Sequence, residues 1–180
     1  KEQGSNGNGG FHAAVIPSGP AWRNVQPVGF AAVESIELEG GYLDLLHTDA
    51  ASAERKFVFK DILFRYGHAN HIRAKNSPGL VVFLRCEARM STSDLYNFHW
   101  DINGAISRMH AIIADCTGFD AGIIGNGITG NVSNNCVTSH ETVSLIVING
   151  QFERSFGGTF AGIGDSNTFI AGGVWRDGKG

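Results

Sequence analysis

Three short strings centred on cysteine decide the fold. They are Leu84-Arg85-Cys86-Glu87-Ala88, Ala114-Asp115-Cys116-Thr117-Gly118 and Asn134-Asn135-Cys136-Val137-Thr138, and glycine takes the central position in two later strings, at Gly150 and Gly173. Successive central positions are 30, 20, 14 and 23 residues apart. Apolar runs precede most of these strings and turn residues follow, which indicates short strands that end in small residues. The interval of 14 is too short for a full turn through three sheets. Either one of these strings is wrongly aligned with the others as a repeat, or the third cysteine lies on a different face of the coil from the glycines.

Small residues that recur about every 20–30 positions are typical of a solenoid. When coils stack, equivalent strands lie about 4.8 Å apart, and equivalent side chains lie above one another in a narrow interior with small groups at its corners. Glycine makes up 25 of the 180 residues, about twice its average usage, which disfavours helices. The sequence therefore predicts an all-β solenoid of about six coils. The alternative is an antiparallel sandwich or barrel, which strand direction distinguishes.

Charge and composition exclude several classes of protein. The chain carries 14 Lys and Arg against 17 Asp and Glu, a net charge of −3, so it has little attraction for nucleic acid or an anionic membrane. Its longest apolar run is five residues, Leu80–Leu84, far below the roughly 18 that a membrane span needs. The sequence has no phosphate-loop, metalloprotease or hydrolase motif, and its cysteines lack zinc-site spacing. We therefore expect no cofactor, metal, nucleic-acid partner or membrane span.

The chain divides at residue 32. Residues 1–31 contain a polar, glycine-rich start and then three prolines, and we interpret them as a linker with an irregular lead-in or cap. Residues 32–180 alternate apolar runs with turn clusters and form the predicted solenoid domain. The first residue is not methionine and the last ones are turn residues, so we expect a fragment of a longer chain.

Three consecutive segments carry a resemblance to a known superfamily. These are Phe59–Phe64, His71–Ser77 and Leu80–Cys86. Their alternation of short apolar runs and turn residues resembles right-handed parallel β-helix proteins such as pectate lyases and bacteriophage tailspikes. The resemblance covers about residues 32–180. It implies a right-handed parallel β-helix and an activity on polysaccharides, since most members are lyases, hydrolases or epimerases. The tailspikes are typically trimers with a separate head-binding segment. Fold alone does not set activity.

Alternation along the strand at Cys86 predicts which neighbours are buried. If the cysteine points inward, the side chains on its face are Val82, Leu84 and Ala88. The opposite, outward face then carries Phe83, Arg85, Glu87 and Arg89.

Candidate catalytic residues follow from the same alternation on later strands, which places Asp115 and Asn135 outside. Arg85, Asp115 and Asn135 then become neighbours on one outer face, with Glu87 diagonal to Asp115. A glycosidase uses two carboxyl groups about 5–9.5 Å apart, and adjacent or alternate coils supply about 4.8 Å or twice that. We therefore nominate Asp115, Glu87 and Asp120 as catalytic. The competing interpretation makes Arg85 and Asp115 a surface ion pair and Asp120 a turn residue.

Candidate substrate-binding residues come from an aromatic insertion between two strand runs, which contains His99 and Trp100. Aromatic groups beside polar ones suit sugars, which present apolar C–H faces and hydroxyl groups. Together with Arg85 and Asn135 on the outer face, His99 and Trp100 are expected to contact substrate. The competing interpretation packs these aromatic side chains against the flank of the solenoid.

Two functional hypotheses follow. The first is a carbohydrate-directed β-helix domain that binds a polysaccharide or cleaves its glycosidic bonds, and the resemblance then implies a homotrimer at an extracellular or virion surface. The second is a noncatalytic structural or adhesive β-helix module. A catalytic domain should present two acids in one groove beside an aromatic side chain. A noncatalytic one should have its outer acids scattered or paired with arginines.

Overall fold

The structure is a computed structural model. It describes residues 2–3, 12–13, 30–35, 37–39, 43–46, 55–67, 72–75, 78–91, 93–100, 108–122, 134–141, 144–164 and 166–178. Regular structure in these ranges consists of strands alone. The same ranges contain no helix with the length and hydrophobicity needed to cross a bilayer.

The strands form three parallel sheets and one small antiparallel pair. Sheet A contains β3 (Phe30–Glu34), β6 (Arg55–Lys60), β9 (Gly79–Leu84), β12 (Met109–Ala114), β15 (Ser144–Ile148) and β18 (Thr168–Ala171). Sheet B contains β4 (Glu37–Glu39), β7 (Leu63–Gly67), β10 (Glu87–Ser91), β13 (Thr117–Phe119), β16 (Gln151–Ser155) and β19 (Val174–Gly178). Sheet C contains β5 (Leu43–Leu46), β8 (Ile72–Lys75), β11 (Tyr96–His99), β14 (Val137–His140) and β17 (Phe160–Ile163). The antiparallel pair is β1 (Glu2–Gln3) with β2 (His12–Ala13).

The chain visits sheets A, B and C in turn, and each strand pairs in parallel with its equivalent one coil away. Six strands in sheets A and B and five in sheet C give five full coils and most of a sixth. The predicted all-β class and the parallel direction are confirmed, and this is the arrangement expected of a β-solenoid. The antiparallel sandwich or closed barrel is excluded, because strands within the three large sheets run parallel.

One left-handed residue separates sheet A from sheet B in every coil. We call these six positions the corner row: Ser35, Asp61, Arg85, Asp115, Asn149 and Gly172. Their φ angles lie between 50° and 70°, a region that Asp, Asn and Gly enter at the lowest cost. In the four middle coils the next residue, Ile62, Cys86, Cys116 or Gly150, then turns into the interior.

The position after the corner explains the uneven spacing of the cysteine strings. Cys86, Cys116 and Gly150 all hold it and are buried. Cys136 does not, because it directly precedes a sheet C strand, where its N–H donates to the Gly158 carbonyl at 3.3 Å. The third cysteine therefore lies on a different face, which was one of the two alternatives that the spacing left open.

The corner also corrects the predicted alternation around Cys86. The structure buries Phe83 at 0% exposure and leaves Val82 and Leu84 half-buried on the outside, so these three orientations were predicted wrongly. The cause is Arg85: its left-handed backbone (φ 50°) ends the first strand, and alternation restarts in a new phase. The predictions beyond the corner are confirmed, with Ala88 buried and Arg89 exposed.

Stacked aromatic rings fill the interior. The rings of Phe59 and Phe83 lie 5.0 Å apart at 13°, and Tyr96 meets the second ring edge-on at 5.7 Å. Elsewhere in the interior, a Cβ at Gly118 would lie 2.7 Å from the Phe152 ring. Glycine is therefore required there by the space that this ring takes up.

The predicted lead-in, residues 1–31, lies outside the described residues except for β1, β2 and the first two residues of β3. Its interpretation as a linker or cap stays a prediction, as does the domain boundary at residue 32.

Candidate ligand-binding face

The structure brings two of the nominated residues, Arg85 and Asp115, together in the corner row. Their backbones are adjacent, because the N–H of Arg85 donates to the Ala114 carbonyl at 3.0 Å. The guanidinium instead turns to the preceding coil, where Nε and Nη2 donate to the two oxygens of Asp61 at 2.7 and 2.9 Å. Asp115 accepts a hydrogen bond of 3.0 Å from Asn149 Nδ2.

The other nominated carboxyl groups, Glu87 and Asp120, lie on the outer side of sheet B and also meet arginines. Glu87 pairs with Arg89 on the same strand. Asp120 accepts from Nε and Nη2 of Arg154 at 2.7 and 3.0 Å. The guanidinium groups of Arg89 and Arg154 both lie over the Phe119 ring, at 5.2 and 5.1 Å from its centroid.

Arginine side chains set the electrostatics of Asp61 and Glu153 on these faces. Hydrogen bonds from Arg85 lower the pKa of Asp61. Hydrogen bonds from Arg176 and then Gln151 lower the pKa of Glu153. A glycosidase acid needs the opposite shift, because it must hold its proton near neutral pH. Asp61 and Glu153 are not among the nominated acids, so these pKa shifts describe the ion pairs of the two faces and not a catalytic group.

The three cysteines lie in the interior. All three are unbridged and buried. Burial raises the pKa of Cys136 to about 12, and the hydrogen bond with Cys86 together with burial raises the pKa of Cys116. The hydrogen bond with Cys116 lowers the pKa of Cys86. All three side chains are at most 1% exposed and serve as small interior groups.

Trp100 does not lie on the surface that its predicted role requires. Its side chain is 1% exposed and belongs to the hydrophobic core, so it presents no face on which a sugar ring could stack. It directly follows strand β11 of sheet C and packs in the interior, and not on the flank of the solenoid as the competing interpretation expected. His99, one position earlier, points outward and is half-buried.

Asn135 is also displaced from its predicted position. It lies at the turn between sheets B and C, 7% exposed, and not beside Asp115, where Asn149 stands instead. Its N–H donates to Asp94 Oδ1 at 2.8 Å, and its Oδ1 accepts from the Gly158 N–H at 2.8 Å. The side chain therefore ties together three successive coils and supports the fold.

Asp94 extends this buried network to the outside of sheet C. The carboxylate is 0% exposed, and its Oδ2 accepts from Asn97 Nδ2 at 2.6 Å. Because the amide nitrogen of Asn97 is held by Asp94, the amide oxygen points away from the carboxylate. In the next coil, Asn135 Nδ2 donates to Oγ1 of Thr138, three residues along the same coil, at 3.2 Å.

The outward positions of sheet C form a polar surface, which we call the sheet C face: Arg73, Asn97, Thr138, His99 and His140. Arg73, Asn97 and Thr138 share one register row, and the two histidines share the next. The histidine rings meet edge-on, with centroids 4.2 Å apart. Two aromatic edges and several uncharged polar groups thus lie side by side across adjacent coils.

Two polar atoms of the sheet C face are buried and unpaired among the described residues: Asn97 Oδ1 and His140 Nδ1. Buried polar atoms in proteins are almost always hydrogen-bonded, so each unpaired one calls for a partner. They stand on diagonal positions of neighbouring strands, which are about 7–8 Å apart in a sheet.

Metal binding has no support within the described ranges, where no three His, Cys, Asp or Glu side chains group closely enough to hold an ion. Sequence reasoning found His99 in this face but missed Asp94 and Asn97. The sequence did contain a signal. Asn97 and His99 are alternate residues of one strand and therefore share a face, and Asp94 lies in the turn just before that strand.

Comparison with protein-family models gave no match, and neither the curated proteins nor the solved structures yielded a significant match. The chain is therefore assigned by its own strand pairing, as an all-β protein of three stacked parallel sheets.

Proposed function

We propose that this chain is a noncatalytic polysaccharide-binding module, built as a right-handed parallel β-helix, whose sheet C face holds the glycan at an extracellular or virion surface. Right-handed connection is supported by the strong general preference of parallel strands for that hand. A face that crosses several coils suits a polymer, because each coil adds a similar row of groups about 4.8 Å further on.

The half-buried polar side chains of Asn97, His99 and His140 on adjacent coils carry the proposal. The unpaired atoms Asn97 Oδ1 and His140 Nδ1 lie just below this surface, and a small rotation of either side chain would bring its atom to a bound ligand. Sugar hydroxyls both donate and accept hydrogen bonds, so they can satisfy an amide oxygen and an imidazole nitrogen together. His99 adds a second ring edge beside His140, and Arg73 lies in the same register row as Asn97.

Binding without cleavage is supported by the placement of the acids. Asp61 and Asp120 each receive two hydrogen bonds from one guanidinium. Neither stands on the sheet C face. A purely structural module remains the second candidate, because arginine-paired acids are also what a spacer requires.

His140→Ala is expected to weaken polysaccharide binding by about 10- to 100-fold, since one hydrogen bond in a desolvated site is worth about 1–3 kcal/mol. The measurement is equilibrium binding to a panel of bacterial capsule, O-antigen and plant polysaccharides. Thr117→Ala is the matched control, because Thr117 is half-buried and outward on sheet B; its binding should equal that of the unmodified chain.

Two outcomes would reject this role for the sheet C face. One is a glycan that binds His140→Ala and the unmodified chain equally well. The other is a folded sample that binds nothing on the panel, which would favour the structural module.

A further inference from the structure

Two of the three cysteines hold equivalent positions in neighbouring coils. Cys86 and Cys116 each follow a corner-row residue, and both are buried. The strands before and after them pair in register across the two coils. Their α-carbons are therefore one coil spacing apart, about 4.8 Å, which lies within the range of about 4.4–6.8 Å that disulfides span.

The sulfur of Cys116 already lies beside Cys86, where it accepts a hydrogen bond of 3.3 Å from the Cys86 N–H. The Cys86 thiol donates to the carbonyl of Phe59 in the preceding coil, at 3.4 Å. Rotation about the Cα–Cβ bond of Cys86 to another staggered position turns its sulfur toward Cys116. One side-chain rotation therefore brings the two sulfurs together.

The third cysteine stands apart from this pair. Cys136 Sγ lies 3.7 Å from the carbonyl oxygens of both Gly118 and Glu153, at the corner before sheet C. The position stacked after Cys116 is held by Gly150, which has no side chain. The row of stacked thiols therefore ends after two residues.

We propose that Cys86 and Cys116 form a redox-sensitive pair, which hydrogen peroxide oxidises to a disulfide that links the third and fourth coils. The Cys86 thiolate attacks one peroxide oxygen, the O–O bond breaks, and hydroxide leaves a sulfenic acid on Cys86. Cys116 then attacks the Cys86 sulfur, the S–O bond breaks, and the hydroxyl group leaves with a proton as water. In sum, two thiols and one peroxide give one disulfide and two waters.

The order of attack follows from the hydrogen bond between the two thiols. It lowers the pKa of Cys86 and raises that of Cys116. The thiolate is the reactive form of cysteine, so Cys86 reacts with the oxidant first.

The bond should be reversible and stabilising. Side chains of stacked residues hold their β-carbons near the coil spacing of about 4.8 Å, farther apart than the roughly 3.8 Å of a relaxed disulfide, so the bond is strained and easily reduced. While closed, it joins residues 30 positions apart, and it should raise the melting temperature by roughly 5–10 °C.

Thiol counting tests the proposal. The folded chain is treated with hydrogen peroxide, the excess is removed with catalase, and the chain is then unfolded in urea with an alkylating reagent present. We expect three alkylated thiols before treatment and one after it. Dithiothreitol given before alkylation should restore all three. Trypsin should release residues 86–89 joined to residues 109–154, and chymotryptic cleavage after Phe119 then separates Cys116 from Cys136.

Cys116→Ala and Cys136→Ala are matched variants, because each removes one buried thiol. Cys136→Ala should still lose both remaining thiols to the bond, whereas Cys116→Ala should keep both. The peptide map of the unmodified chain keeps the test independent of how either variant folds. Three alkylated thiols after peroxide, a loss that dithiothreitol does not restore, a bond to Cys136, or a link between two chains would overturn the proposal.

Discussion

Phe83→Ala is expected to lower the free energy of unfolding by about 3–5 kcal/mol. Phe83 is 0% exposed and lies between Phe59 and the aromatic side chains of sheet C, with ring centroids at 5.0, 5.7 and 6.1 Å. Removing the ring deletes the apolar contacts of two sheets and leaves a cavity that a backbone held by parallel pairing on both sides cannot close.

Val82→Ala is the matched comparison, because Val82 is the neighbouring residue and is half-buried on the outside. It should cost about 1 kcal/mol or less. Urea denaturation followed by circular dichroism measures both. Simple alternation from Cys86 predicts the reverse order, so a larger loss for Val82→Ala would refute the interior described here.

Asp94→Ala is expected to cost about 3 kcal/mol of folding free energy. The buried carboxylate accepts from the Asn135 N–H at 2.8 Å and from Asn97 Nδ2 at 2.6 Å. Alanine leaves the buried Asn135 N–H without this acceptor, which costs about 1–3 kcal/mol, and it also removes the partner of the part-buried Asn97 amide. The loss should also release the Asn97 amide, so glycan binding at the sheet C face should fall in parallel.

Asp94→Asn retains an oxygen for the Asn135 N–H and should lose less stability than alanine does. Glu87→Ala provides the control, since its ion pair with Arg89 is solvent-accessible and exposed pairs contribute about 0–1 kcal/mol. Equal unfolding midpoints for Asp94→Ala and Glu87→Ala would show that the network does not support the fold.

The fold class could be predicted because a stacked coil repeats its steric needs. Cys86, Cys116 and Gly150 mark one corner, since each follows a left-handed residue and turns inward. The register was harder to predict. Cys136 has similar sequence neighbours but lies before a sheet C strand. The neighbouring residues alone do not show which of two corners in a coil a cysteine occupies.

The position of a corner residue cannot be predicted from inward–outward alternation. Arg85 adopts φ 50° although arginine has no preference for that region, so the change of phase between Phe83 and Cys86 carries no strong local signal. Asp61, Asp115 and Asn149 do favour left-handed backbone. Each of these residues is followed by an inward-facing residue. When such pairs are aligned as equivalent corners they give the coil spacing, which the cysteines alone do not give.

The candidate site was only partly predictable, because it joins residues far apart in the chain. His99 and His140 become neighbours only through the pairing of β11 with β14. Asp94 and Asn135 meet across 41 residues. Alternation placed the nominated acids Asp115 and Glu87 on the outside correctly, but it made no prediction for Asp120 and none about the arginines and the asparagine that engage the three acids. Their proposed catalytic role stays without support.

Release of new reducing ends from a polysaccharide that the chain binds tests the central claim, binding without cleavage, most directly. We predict no release above the protein-free rate when the polymer is saturated with protein, and no gain of unsaturated-uronate absorbance. Reducing ends that appear with the unmodified chain and vanish with Asp115→Asn, Glu87→Gln or Asp120→Asn would contradict the claim and identify a hydrolase.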